Sequence, residues 1–225
     1  MRKFVSTFLG AARLAVLAAP LILAVSVASS AFASPAQDAR QALATAVNRI
    51  MDDIKNPDFV NPATRGPLRA RIEDEVYHIF DFPEFSSRTV GPRWRDFTPE
   101  EKKRFSDAFA NLLFNTYLSK VTGYNGESVV YNGETVSRDG NVVEVKTTIA
   151  LKDGKRTPVN YRMSFRDGSW RVFDVIIENI SLVRNYRTQF QDILKKASPD
   201  ELIARVNQKA KEVAAQGDAG GKAAQ

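Results

Sequence analysis

The chain predicts an α+β domain: helices first, a curved four-stranded antiparallel meander, then helices that return over the sheet. Three observations point to it. Asp139-Gly140, Asp153-Gly154 and Asp167-Gly168 recur fourteen residues apart between segments of alternating polarity. Asp-Gly between alternating strands marks hairpins, because both central turn residues need positive φ. Helical spacing dominates on either side of that block. Two capping boxes, Thr98-Pro99-Glu100-Glu101 and Ser198-Pro199-Asp200-Glu201, set helix starts before and after it.

Taken in order, the chain opens with Arg2, Lys3 and Arg13 before an apolar run from Leu14 to Val27, then small residues ending in Ala31-Phe32-Ala33. This is the layout of a secretory signal peptide cleaved after Ala33. The run is short and holds Pro20, which argues against a retained anchor. Removal of residues 1–33 leaves 192 residues and lowers the formal net charge from +6 to +3, since the segment has three basic residues and no acid. That balance argues against a general nucleic-acid binder. With no cysteine anywhere, the exported chain has no disulfide, thiol nucleophile or thiolate metal site.

Ser34-Pro35 starts the first mature helix, with Leu43, Val47, Ile50 and Ile54 on one face and Asn56-Pro57 at its end. A second helix runs from about Pro67, with Leu68, Ile72, Val76 and Ile79 as its inner row. Residues 80–94 read as a short helix closed at Gly91-Pro92. The Thr98 box then opens the longest helix, which presents Phe105, Phe109, Leu112, Leu113, Thr116 and Tyr117. In the meander, Val143, Val145, Thr147, Ile149 and Leu151 alternate in one strand. Val159, Tyr161, Met163 and Phe165 alternate with Asn160, Arg162, Ser164 and Arg166 in the next. Trp170–Ile180 is apolar on both faces, as in a strand covered twice, and runs straight into a helix capped by Ser181 and spaced on Leu182, Tyr186, Phe190 and Ile193. A last helix uses Leu202, Ile203 and Val206. One domain over residues 34–215 and a disordered Gly- and Ala-rich tail over 216–225 complete the expectation.

Catalytic patterns are missing. His78 is the single histidine, and no nucleophile elbow, phosphate loop or paired-histidine metal motif occurs. Glu73, Asp74 and Glu75 read as a solvated helix face. Asp174, in an otherwise apolar strand, needs a hydrogen-bonding partner if buried. The competing use is as the base of an exported pocket enzyme, with Asp81 as the other candidate.

Several segments together resemble the carboxyl-terminal and central blocks of the MlaC family. They are Trp-x-Val-x-Asp-Val from Trp170, Ile177-x-x-Ile180-Ser181-Leu182, and Asn185-Tyr186-Arg187-x-x-Phe190. To these add Phe80-Asp81-Phe82, Val90-Gly91, Trp94-Arg95 and Thr98-Pro99, then Phe105, Phe109, Thr116 and Tyr117. The resemblance covers nearly the whole mature chain. It implies a curved sheet wrapped by helices around an apolar cavity, and a non-enzymatic periplasmic carrier of glycerophospholipid, with no cofactor beyond that cargo. It further implies transfer between an outer-membrane lipoprotein complex and an inner-membrane ABC transporter with its lipid-binding ring, which keeps the outer membrane asymmetric. The chain would meet membranes only transiently, through those partners. Hopanoid-type lipid is the alternative cargo, and a solid-cored adaptor the alternative class.

On that reading the tail pocket is walled by Phe105, Phe109, Leu112 and Leu113 from the long helix. Val145, Ile149, Tyr161, Met163 and Phe165 join from the sheet, and Tyr186 from the helix after it. Arg88, Arg93, Arg162 and Arg166 are the candidates for headgroup or partner docking, because guanidinium can bond phosphate bidentately.

Overall fold

The computed structural model describes residues 34–61, 63–118, 126–151 and 154–223, with side chains described as far as 216. The proposed signal peptide therefore lies outside the described residues.

Helix α1 spans Pro35–Lys55, and the Ser34 hydroxyl accepts from the Gln37 N–H as its cap. Asn56 ends it and turns the chain through Pro57–Phe59 by accepting from Asp58 N. α2 covers Arg65–Ile79, and its buried Leu68 and Ile72 join Ile54 and Phe59 in a small cluster between α1 and α2. The 80–94 segment is not one helix. Phe80 makes an isolated parallel bridge to Val172, Asp81 caps α3 (Phe82–Val90) through Glu84 N, and a 3-10 turn follows over Gly91–Asp96. Gly91 breaks α3 with φ of 71°, where a side chain would be strained.

The capping box at Thr98 forms in both directions. Glu101 N donates to Thr98 Oγ1 at 3.2 Å and Thr98 N to Glu101 Oε2 at 2.7 Å, opening α4 (Pro99–Leu118). The Ser198 box repeats the pattern at 3.3 and 2.9 Å and opens α6 (Pro199–Ala223). At 25 residues α6 is longer than the 20-residue α4, against expectation, and its helix continues past Gln216 into the Ala- and Gly-rich segment. α4 and α6 pack along one another, and α5 (Leu182–Leu194) joins α3 beside α4.

The sheet has five strands rather than four, in the order β1 (Ser128–Val136), β2 (Val142–Ala150), β3 (Arg156–Arg166), β4 (Ser169–Ile177) and β5 (Ile180–Ser181). The strand expected to run straight into α5 stops at Ile177. Glu178 and Asn179, at φ of 48° and 69°, fold a tight turn that pairs Ile180 and Ser181 back onto Ile177 and Ile176. Two residues are too few to carry a period, so β5 leaves no alternation to read.

The three Asp-Gly sites also differ among themselves. Asp167 and Gly168 both have positive φ and join β3 to β4 directly. The β1–β2 link is a five-residue loop, 137–141, in which only Gly140 is positive and Asp139 Oδ1 accepts from Ser137 Oγ at 2.6 Å. Gly154 again has positive φ, while Asp153 lies outside the described residues.

Register assigns the faces. The apolar face carries Val143 opposite Met163, Val145 opposite Tyr161 and Thr147 opposite Val159. Met163 and Tyr161 in turn face Val172 and Val175 of β4. The polar face carries Glu144 opposite Arg162 and Arg162 opposite Asp174. Bulges between Tyr131 and Gly133 and beside Phe173 break the pairing, and such insertions bend the bulged strand and raise its twist. β4 is buried from Val172 to Ile176, the twice-covered strand that its composition predicts. The main core joins the apolar face to α3, α4, α5 and α6.

Candidate functional site

The centre of the core is an aromatic cluster in which α4 supplies Phe105 and Phe109, one turn apart. Phe109 meets Phe85 of α3 at 5.5 Å and Tyr186 and Phe190 of α5 at 4.9 and 5.4 Å, each edge to face. Phe105 meets Trp94, Phe97 and Phe190 in the same manner. Edge-to-face contacts match ring edges to π faces, so the cluster is packed as well as apolar.

Nine of the ten expected wall residues come together here. Phe105, Phe109, Leu112, Leu113, Val145 and Met163 are buried in the core; Ile149, Tyr161 and Tyr186 are half-buried and pack against it. Phe165 does not join them. It is 50 % exposed at the far end of β3 and packs on Trp170 at 5.4 Å.

Beside the buried set runs a row of half-buried apolar side chains: Tyr131, Ile149, Tyr161 and Ile177 from the apolar face, with Tyr117 and Tyr186 from the helices. Tyr131 escaped the sequence reading because the bulge at Asn132-Gly133 interrupts the alternation of β1. The row is rich in tyrosine, and desolvation acts on its phenols. Burial, with Tyr131 adding to it, pushes the Tyr161 hydroxyl up to about 12. Burial, then the neighbouring Tyr117, pushes Tyr186 up to about 12 against a hydrogen bond from Thr116. Both lie above the ordinary value of 10, so the stability they contribute is whole below pH 10 and is lost as pH rises towards 12. Tyrosinate absorbance should show at least two of the six tyrosines ionising well above pH 10. A single transition near pH 10 would contradict this burial.

The four candidate arginines all have carboxylate partners. Arg88 reaches Glu84 at 2.7 Å and lies 4.1 Å from the Phe173 ring centroid. Arg93 bonds Asp96 at 2.6 Å and the Leu194 carbonyl at 3.2 Å. Arg162 bridges Glu144 and Asp174 at 3.1 and 3.4 Å on the polar face. Arg166 spans from β3 to Glu84 and Asp81 of the α3 start at 3.3 and 3.7 Å. None of the four contributes to the tyrosine row.

Asp174 finds the structural role that a buried acid needs. It is 2 % exposed. Ser181 Oγ donates to its Oδ2 at 2.7 Å and Val183 N to its Oδ1 at 3.0 Å, so β4 holds the first turn of α5. The Ser181 hydroxyl accepts in turn from Arg184 N at 3.1 Å, which is the expected cap. A carboxylate at a helix N-terminus meets unsatisfied N–H groups and the positive end of the dipole.

His78 is exposed and bonded to Asp74 of its own helix, with Nδ1 2.8 Å from the Asp74 carbonyl. It borders an open groove of about 330 Å³ between α1 and α2 that also holds the Arg49–Glu75 pair. Among the described residues, no cluster of His, Asp and Glu is placed to hold a metal ion, and no helix is long and apolar enough to cross a membrane.

Fold and site together define a helix-wrapped α+β protein with a partly uncovered apolar sheet face. The chain belongs to the MlaC family, whose model, described as MlaC protein, matches residues 44–208. Among curated relatives, the intermembrane phospholipid transport system binding protein MlaC of Haemophilus influenzae is 21 % identical over 168 residues, covering 73 % of this chain and 78 % of that protein. The toluene tolerance protein ttg2D of Pseudomonas putida is 27 % identical over 106 residues, 47 % of this chain and 49 % of that one. A solved structure of a phospholipid-binding protein from Ralstonia solanacearum, in complex with a phospholipid, superposes with a TM-score of 0.71 at 25 % identity. The match covers 79 % of this chain and 99 % of that one.

Proposed function

We propose that this protein is a non-enzymatic periplasmic phospholipid carrier, exported by a signal peptide cleaved after Ala33. It encloses acyl chains in an apolar cavity between the sheet and α4 and α5. It carries them between an outer-membrane lipoprotein complex and an inner-membrane ABC transporter with its lipid-binding ring, which maintains outer-membrane lipid asymmetry. The relatives named above support the cargo.

Tyr161 is the observation that carries the cavity. It stands on the apolar face of a central strand and its hydroxyl is desolvated, yet the side chain keeps accessible surface. Both properties support the reading that this side chain faces an unfilled internal space. The half-buried Ile149, Tyr161 and Tyr186 line it, and the six buried residues, Phe105 and Phe109 among them, form the packed layer behind. The four arginines serve as docking groups for partners, since carboxylates of the chain already hold them away from the tyrosine row.

The physical demand is severe. A diacyl lipid has on the order of thirty methylenes, and at ~0.8 kcal/mol each their exposure costs roughly 25 kcal/mol. Tails must therefore be enclosed for passage through water. Protein purified from cells without detergent should carry stoichiometric phospholipid, identified by organic extraction and mass spectrometry. A lipid-free extract, or a hopanoid in its place, would refute the cargo.

A further inference from the structure

Four buried side-chain oxygens among the described residues have no hydrogen-bond partner, and two of them, Tyr131 Oη and Glu134 Oε1, belong to near neighbours on β1. An unsatisfied buried hydroxyl is costly and calls for a partner. Tyr161 lies two strands away on the same face, close enough for its phenol to feel Tyr131. Arg40 of α1 closes this corner. Its guanidinium lies 5.3 Å from the Tyr131 ring centroid and 3.7 Å from Glu134 Oε1, and its side chain is half exposed. The apolar interior therefore approaches solvent here through a polar rim.

Resting on the carrier reading, we propose that the hydroxyls of Tyr131 and Tyr161 form a polar subsite for the ester carbonyls of a bound glycerolipid. Esters sit where the tails begin, so an apolar interior and a polar rim would meet the lipid at its own polar boundary. Two phenol donors suit two neutral carbonyl acceptors. A phosphate at the same position would face the Glu134 carboxylate, whereas an ester brings no charge to it. Phosphate and headgroup then extend past Arg40 towards solvent, where varied headgroups meet no close-fitting wall.

The test uses two phosphatidylethanolamines of equal chain length, one ester-linked and one its diether analogue, which lacks the carbonyls. The mature protein is loaded with each, and loss of lipid to acceptor vesicles is timed. The native chain should hold the ester lipid longer, by roughly fivefold for each hydroxyl engaged. Tyr131→Phe and Tyr161→Phe should each reduce the difference, and the double variant should abolish it. At Tyr131 Phe keeps the ring and removes only an unsatisfied buried oxygen, so the lipid-free Tyr131→Phe variant should melt no lower than the native chain.

Equal retention of both lipids by the native chain would overturn the subsite while leaving the carrier standing. So would a difference that survives in the double variant, as expected if the hydroxyls meet only ordered water. Retention of neither lipid would instead defeat the carrier reading.

Discussion

Phe109→Ala is expected to lower the free energy of unfolding by about 3–5 kcal/mol, the usual cost of emptying an aromatic site in a packed core. The ring is fully buried and touches Phe85, Phe105, Tyr186 and Phe190, so two helices besides its own lose contacts at once. Neighbours drawn from α3, α4 and α5 cannot all collapse into the gap, which keeps the cavity term large. Chemical denaturation of lipid-free protein, followed by far-ultraviolet circular dichroism, measures the effect. A loss below about 1 kcal/mol would mean that Phe109 lines open space instead of filling the core.

Asp174→Ala is the second large effect, at about 2–4 kcal/mol, because several groups lose one acceptor together. Val183 N and the Ser181 hydroxyl proton are left inside without an acceptor, and Arg162 keeps only Glu144. Asp174→Asn should cost less. Its carbonyl oxygen can still accept from Val183 N, and its amide can donate to the Ser181 oxygen, although the hydroxyl proton then needs a new acceptor. The Asn variant also tests the enzyme alternative: if it keeps and transfers lipid at the native rate, Asp174 is no catalytic base. Abolished transfer with unchanged folding and lipid content would reopen that alternative.

Much of the fold was legible because it is written in local signals. The Ser34, Thr98, Ser181 and Ser198 caps need only three or four consecutive residues, and all four form. Asp167-Gly168 likewise determines its own turn. What escaped notice depends on neighbours distant in sequence. Residue Phe165 follows the alternation of β3 faithfully, but at the end of the strand it stays half exposed against Trp170, so an apolar position became an exposed one. The arginines of β3 show the converse. Arg162 and Arg166 were visible as cations on a polar face, whereas the carboxylates that hold them sit on β2, β4 and α3. Tyr131 was hidden by a one-residue insertion that desynchronised its strand. Apolar stripes alone also cannot separate a wall from a solid core; only accessibility at Tyr161 bears on that.

Each strand pairs with its successor along the chain, across links no longer than five residues. Such a sheet contains only short loop closures, and low sequence separation between contacting residues favours fast folding. No ladder has to wait for a distant segment to arrive. The meander can zip shut strand by strand in chain order, leaving α6, which follows it, to clamp along α4.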